Sequence, residues 1–367
     1  MTEKINIGII YGGRSGEHEV SLMSAQSVLS VINRDKYHVT EIGINRQGNW
    51  FVGENLWSKL QQERFDDLSP AFMLSSPLNN GIYTFRESHY QLFAELDVVF
   101  PVLHGTYSED GTLQGLLELA DIAYVGAGVV GSATCMDKGI FKDVMVANDL
   151  PTLAYTVFTR SFIESELEDC LNKAETISDY PLFTKPANLG SSVGISKCNN
   201  KDDLILGLQK AAVFDRRVVV EKGINHAREI EVSVLGNEEP SVSIPGEIIP
   251  KDIFYTYEEK YINDTADLLI PAELPAGTIE KFQAMAVKAY KTTDCAGMAR
   301  VDFLIDRENE EIFLNEINTI PGFTKISMYP KLWEASGIPY ADLIEKLIEY
   351  ALERKAQRDR TEREFRS

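Results

Sequence analysis

Short apolar runs rich in Val, Ile and Phe alternate with helical periodicities along almost the whole chain, and this alternation restricts the fold to the α/β class. KINIGIIYG reads as a buried strand, and EHEVSLMSAQSVLSVI as the helix after it, with Val20, Met23, Val28 and Ile32 near helical spacing. YHVTEIGI, LDVVFPVL and IAYVG extend a first unit, with residues 54–90 polar and irregular between them. A second unit begins near the helix MDKGIFKDVMVAND and runs through PTLAYTVF, the helical ESELEDCLNKAETI and PLFTKPANLGSSVGISK, the last a strand, a Gly/Ser turn and a strand. The third carries REIEVSVLGN, an irregular segment from about Pro250 to Asp267, the helix TIEKFQAMAVKAYKTT, and the strands ARVDFLID and EIFLNEIN. A last helix, DLIEKLIEYALERKAQRDRTEREF, ends in mixed charges that read as a solvated face. At 367 residues the chain is too long for one core, so two or three domains of roughly 100 to 150 residues are expected.

The formal charge of −20, from 36 basic and 56 acidic side chains, repels a phosphate backbone. Nucleic acid is therefore not an expected partner, and any phosphate must be held by a local constellation. No run approaches the roughly 18 apolar residues of a membrane span, and MTEKINIGIIYGG has too short an apolar stretch for a secretory signal. Cys135, Cys170, Cys198 and Cys295 share no metal-like spacing and read as reduced thiols of a cytoplasmic protein.

In FLNEINTIPGFT, residues 313–324, strand periodicity projects Glu316 and Asn318 from one face, with Asn315 and Ile317 behind. On the neighbouring strand ARVDFLID, Asp302 sits between Val301 and Phe303, where a carboxylate needs a partner. Asp302, Glu316 and Asn318 offer three hard oxygen ligands suited to Mg2+ bridging nucleotide phosphates. A rim of solvated polar residues at strand ends satisfies the same pattern. Positive partners add weight to the metal. Lys185 ends an apolar strand where a lysine wants an anion, and the following LGSSVG offers N–H groups to phosphate oxygens, although a ligand-free hairpin fits that loop equally. Lys138 opens a helix, and Arg300 precedes Asp302 on the same strand face. No G-x-x-x-x-G-K-[ST] occurs, which excludes a P-loop.

The ordered set GGRSGEHEVS, HGTYSEDGTLQG, MDK, KPANLGSSVGISK, REIEV, YEEKY, ARVDF and NEINTIPGFT resembles the D-alanine–D-alanine ligase family of ATP-grasp enzymes, over residues from about 5 to 350. The resemblance implies a three-domain ATP-grasp fold of the α/β class with a Rossmann-like N-terminal (pre-ATP-grasp) domain. The domains would be residues 1–126 for the first substrate, 127–222 for nucleotide, and 223–367 for metal, nucleotide and second substrate. ATP would phosphorylate the carboxylate of one D-alanine, and the amine of a second would displace phosphate, chemistry that rests on positioning and charge neutralisation. The implied setting is peptidoglycan synthesis in a bacterial cytoplasm, by a homodimer.

Carried over by position, Lys138 and Lys185 would bind the ATP phosphates, Glu221, Lys222 and Ile224 would edge the adenine, and Glu229 would accept from the ribose. Asp302, Glu316 and Asn318 would hold two Mg2+ ions, with Mn2+ as a substitute. Arg300 and the N–H of Gly322 would stabilise the oxyanion of the tetrahedral intermediate, and a glycine there lets the backbone approach the reacting carbon. Glu17 would pair with the ammonium of the first D-alanine, beside His104, and Ser327 would bind the carboxylate of the second. Lys260 and Tyr261 would close over the site as a lid that excludes water, Lys260 reaching the γ-phosphate and Tyr261 meeting Ser191, which in turn meets Glu17. Tyr261 is favoured over Tyr255 and Tyr257 by the KY pair. It also favours an amine acceptor over D-lactate, with D-serine as the other alternative. Tyr107 and Ser108 depart from the more glycine-rich turn of relatives. A different ATP-grasp ligase is disfavoured by the set Glu17, Ser191 and Tyr261. A Rossmann oxidoreductase is disfavoured by the lack of G-x-G-x-x-G, and a dead nucleotide-binding scaffold by the retention of Lys185, Arg300, Asp302 and Glu316.

Overall fold

The computed structural model describes residues 4–78, 80–249 and 267–363. Lys260 and Tyr261 lie outside the described residues. In the first unit, β1 (Ile5–Gly12) lies parallel between β2 (Tyr37–Ile44) and β7 (Val98–Val102), and its Ile7, Ile9, Ile10 and Tyr11 are wholly buried. Burial on both faces is why these strands read as continuous apolar runs. With β3 (Trp50–Val52), β4 (Ser69–Met73), β5 (Gly81–Arg86), β6 (His89–Glu95) and β8 (Ala123–Tyr124) they form one sheet in the order β6-β5-β4-β3-β2-β1-β7-β8.

Residues 54–90, expected to be irregular, instead supply a short helix (Leu56–Gln61), β4, β5 and the start of β6. The helix is only six residues long, and β6 is largely exposed on both faces, so neither leaves a periodic apolar signal.

The second sheet is antiparallel, β11-β10-β12-β9, from β9 (Tyr155–Thr159), β10 (Leu182–Pro186), β11 (Ser196–Cys198) and β12 (Arg217–Lys222). Leu182, Val218 and Val220 face a helical layer that includes Leu204, Leu208 and Ala211 of helix Lys201–Phe214. Strand alternation then puts Lys185 and Glu221 together on the opposite face. The expected single helix after β9 is two, Arg160–Ser165 and Leu167–Glu175, broken at Glu166, whose backbone is not helical.

The third sheet runs β16-β15-β13-β17-β18 from β13 (Arg228–Gly236), β15 (Gly246–Ile249), β16 (Asp267–Leu269), β17 (Gly297–Ile305) and β18 (Ile312–Asn318), with the short β14 (Ser241–Val242) paired to β13. Ile230, Val232, Val301, Phe303, Leu314 and Ile317 pack in one core with Phe282, Ala286 and Ala289 of helix Thr278–Thr292. That leaves Glu229, Glu231, Arg300, Asp302, Glu316 and Asn318 to the other face. Between the paired positions Asp302↔Glu316 and Phe303↔Leu314, β18 has one extra residue, Asn315. This bulge lets Leu314 and Ile317, three apart, both reach the core while Glu316 and Asn318 stay on the open face.

The largest core joins the first unit to the C-terminal part. Ile7, Ile9 and Phe100 pack in one cluster with Phe323, Tyr329, Trp333 and with Leu343, Ile344, Leu347 and Ile348 of the final helix, Tyr340–Asp359. Burying each of these side chains is worth about 1.5–3 kcal/mol. The distal part of that helix is solvated along Glu353, Gln357 and Asp359, as expected, but its other side is a dock. Arg358 bonds Glu118 and, at 2.7 Å, Asp121; Lys355 pairs with Asp121 at 3.2 Å; and the Arg354 guanidinium lies 4.1 Å from the Tyr124 ring centre.

Candidate active site

Lys138 begins helix Lys138–Ala147 because Asp137 caps it, accepting from Gly139 and Ile140 N–H at 3.0 Å. Lys138 Nζ donates to the Leu189 carbonyl at 2.8 Å and lies 3.5 Å from Glu316 of β18. Lys185 is ion-paired with Glu221 on its own sheet face. Burial works against its charge, but Glu221, Glu316 and Glu229 outweigh it and raise the Lys185 pKa. Carboxylates of three strands, β12, β18 and β13, thus surround one ammonium.

Lys142, one helical turn after Lys138, was not singled out in the sequence. It is 1% exposed, and its Nζ stands 3.0 Å from Glu221 without hydrogen-bond alignment. Burial lowers the Lys142 pKa despite Glu221, while Glu221, despite its own burial, is held down to about 2 by Lys142 and Lys185. The i, i+4 spacing of two lysines was the available signal. Lys222 and Ile224 follow Glu221, both half-buried, and the Lys222 N–H is bonded to Ala154.

On β17 and β18, Asp302 stands opposite Glu316 and Arg300 opposite Asn318. Arg300 grips Asp302 with two bonds of 2.7 Å and lies 3.0 Å from Glu231, and Asn318 Nδ2 donates to Asp302 at 2.9 Å. Two carboxylates and an amide, all half-buried, fit the hard-oxygen set of Mg2+. Presenting oxygen to a metal requires the Asn318 amide to turn over from its bond to Asp302.

At the first unit, Glu17 accepts from Ser191 Oγ, which joins the start of helix His18–Val31 to the Gly/Ser loop. Ser191 and Ser192 have φ of +50° and +59°, a left-handed turn uncommon for side-chain-bearing residues. Gly105 (φ +79°) passes so close that a Cβ would come within 2.6 Å of Glu17 Oε2. Buried His104 lies 3.8 Å from Glu109. Burial disfavours its charge, but Glu109 and Glu17 outweigh it and raise its pKa. Burial also pushes Glu109 up to about 7, with Glu17 adding and His104 and Arg300 opposing. Tyr107 takes φ +63°, its N–H bonded to Asp110, with Arg14 5.5 Å over its ring. Ser327 precedes helix Met328–Ala335 but gives it no side-chain cap; its Oγ accepts from Thr324 N–H at 3.1 Å, closing the turn after Gly322.

The described candidates therefore converge from three sheets, carboxylates interleaved with lysines and an arginine. The Ser327 hydroxyl bonds within its own turn, and the Lys222 N–H bonds Ala154 rather than any of these side chains.

Family models for the D-ala D-ala ligase N-terminus and C-terminus match residues 6–127 and 144–349. A relative from Heliobacterium modesticaldum, a D-alanine–D-alanine ligase, is 47% identical over 362 residues, 98% of either chain. The solved VanG D-Ala:D-Ser ligase of Enterococcus faecalis superposes with a TM-score of 0.84 at 36% identity, covering 95% of this chain and 100% of that one. The Bacillus anthracis D-alanine–D-alanine ligase complexed with ATP gives 0.72 at 27% identity, covering 96% and 99%. The three-domain α/β architecture with a Rossmann-like first unit is that of the ATP-grasp fold, as expected from the motifs. Matched in both halves and over nearly its full length, the chain belongs to the D-alanine–D-alanine ligase family.

Proposed function

We propose that this enzyme joins two D-alanines into D-alanyl-D-alanine with conversion of ATP to ADP and phosphate, for peptidoglycan precursors. The observation that carries it is the meeting of Glu17 and Ser191, from two different units, with Glu109 facing both Glu17 and Arg300, and Lys138 joining Leu189 of the Ser191 loop to Glu316. Glu17 binds the ammonium of the first D-alanine, next to His104. An oxygen of that D-alanine's own carboxylate attacks the γ-phosphorus of ATP, ADP leaves, and a D-alanyl phosphate remains. Lys138 and Lys185 hold the phosphates, a role given to Lys260 by its motif alone; Glu221, Lys222 and Ile224 take the adenine and Glu229 the ribose. Asp302, Glu316 and Asn318 would hold Mg2+, which when bound neutralises phosphate charge. The amine of the second D-alanine, whose carboxylate is on Ser327, attacks the acyl carbon, and its proton leaves with the departing phosphate. Arg300 and Gly322 N–H stabilise the oxyanion until phosphate departs. Tyr261, outside the described residues, is assigned by its motif alone as the partner of Ser191.

We further assign domain borders at residues 1–126, 127–222 and 223–367, a cytoplasmic location and a homodimer. Among the described residues no helix is long and apolar enough to cross a membrane. Phosphate release from ATP and Mg2+ with D-alanine, D-lactate, D-serine or L-alanine offered separately, and with D-lactate or D-serine paired with D-alanine, tests the reading. D-alanine alone should support turnover. Release with none of the D-substrates would refute the ligase assignment, and dipeptide formation only when D-serine joins D-alanine would move the acceptor to D-serine.

A further inference from the structure

The turn that carries Gly322 is held from the first unit by a hydroxyl that no motif singled out. Ser24 is fully buried in helix His18–Val31, the helix that starts at Glu17. Its Oγ accepts from Phe323 N–H at 3.3 Å and stands 3.1 Å from His104 Nε2. His104 Nδ1 lies 3.0 Å from the Ile320 carbonyl, which can only accept, so Nδ1 carries a proton. A neutral imidazole then accepts at Nε2 from the Ser24 O–H while the Ser24 oxygen accepts from Phe323, and each of these groups is satisfied. In the imidazolium form Nε2 donates to the same oxygen, so the contacts persist in either state. The Phe323 carbonyl accepts from Tyr340 Oη at 2.6 Å, and its ring packs against Phe100, Tyr329 and Tyr340. Gly322 is thus bracketed on one side by Ile320, tied to His104, and on the other by Phe323, tied to Ser24 and Tyr340.

We propose that Ser24 is a positioning residue for the ligation step. Through Phe323 N–H directly, and through His104 to the Ile320 carbonyl, it sets the place of the Gly322 N–H relative to the substrate carboxyl brought in beside Glu17. One helix then carries the binder of the first substrate at its start and the anchor of the oxyanion donor two turns on. The proposal rests on the oxyanion role given to Gly322. A misplaced donor damages the transition state more than ground-state binding, because charge on that oxygen appears only during reaction.

The test uses the full-length enzyme with Ser24→Ala, Ser24→Thr, His104→Gln and the Ser24→Ala/His104→Gln double variant. It measures kcat, KM for ATP and D-alanine, melting temperature, and affinity for a phosphinate analogue of the dipeptide, whose tetrahedral centre imitates the intermediate. Ser24→Ala should lower kcat about 10- to 100-fold and weaken the phosphinate by the same factor, with both KM values within about two-fold of wild type. Ser24→Thr, which keeps the hydroxyl, should retain more kcat than Ser24→Ala. The double variant should be about as impaired as its worse parent, because the two side chains act as one chain. Unchanged kcat in Ser24→Ala, a loss of kcat with full phosphinate affinity, or additive losses in the double variant would overturn the proposal. A wild-type enzyme that binds the phosphinate no tighter than D-alanyl-D-alanine would instead overturn the role of Gly322 itself.

Discussion

Glu221 is the residue on which the phosphate-side lysines depend. Two buried ammonium groups share its carboxylate, and Lys142 has no other acid in contact among the described residues. Glu221→Gln should therefore cost about 3 kcal/mol in urea unfolding, and a loss below about 1 kcal/mol would mean that Lys142 simply sheds its proton. Because its folded pKa is depressed, Glu221 contributes stability that is present above about 4.5 and lost as pH falls toward about 2. Glu109 runs the other way. Its pKa is raised by burial, so its contribution is full below about 4.5 and is lost as pH rises through about 7. His104, also raised, adds in the same direction. Glu109→Gln should flatten the decline in melting temperature between those values, and an unaltered slope would contradict the shift. Glu17, Ser191, Lys185 and Arg300 were legible because each sits in a short contiguous motif. Ser24 and Lys142 were not, because what defines them is a distant partner: Ser24 bonds a residue 299 positions away.

Among elements, the β17–β18 ladder was the most legible. Period-two reading placed Arg300 and Asp302 on one face and Glu316 with Asn318 on another strand facing the same way, and the register sets Asp302 against Glu316. The bulge at Asn315 was not legible, since an extra residue has no sequence mark beyond the apolar spacing of Leu314 and Ile317. Replacing Glu316 by Gln removes one of two carboxylates from the candidate metal set. It should raise the Mg2+ concentration needed for half-maximal turnover by about 10- to 100-fold, with little change in melting temperature because Glu316 is half-buried. An unchanged Mg2+ titration would remove Glu316 from that set. The strands within residues 54–90 escaped the same reading because β6 is largely exposed on both faces and β5 fully buries only Ile82 and Thr84 among its side chains, a single apolar position.

At the scale of the whole molecule, alternation of apolar runs was sufficient for the α/β class, and the ordered motifs for the ATP-grasp arrangement. Neither foretold how the last helix docks. Its Arg358 and Lys355 meet Glu118 and Asp121, and its apolar side enters the core around Phe323. Charges that looked solvated from composition are thus used to close the chain onto its own first unit. The net charge of −20 is compatible with phosphate chemistry because Lys138, Lys185, Lys142 and Arg300 are gathered at one place. All of this converges on one bond-making event, in which an oxygen of the first D-alanine becomes an oxygen of the released phosphate. D-alanine labelled with oxygen-18 in its carboxyl group, turned over with ATP and Mg2+, should deliver one labelled oxygen into each inorganic phosphate per dipeptide formed. Dipeptide accompanied by unlabelled phosphate would contradict the acyl-phosphate route.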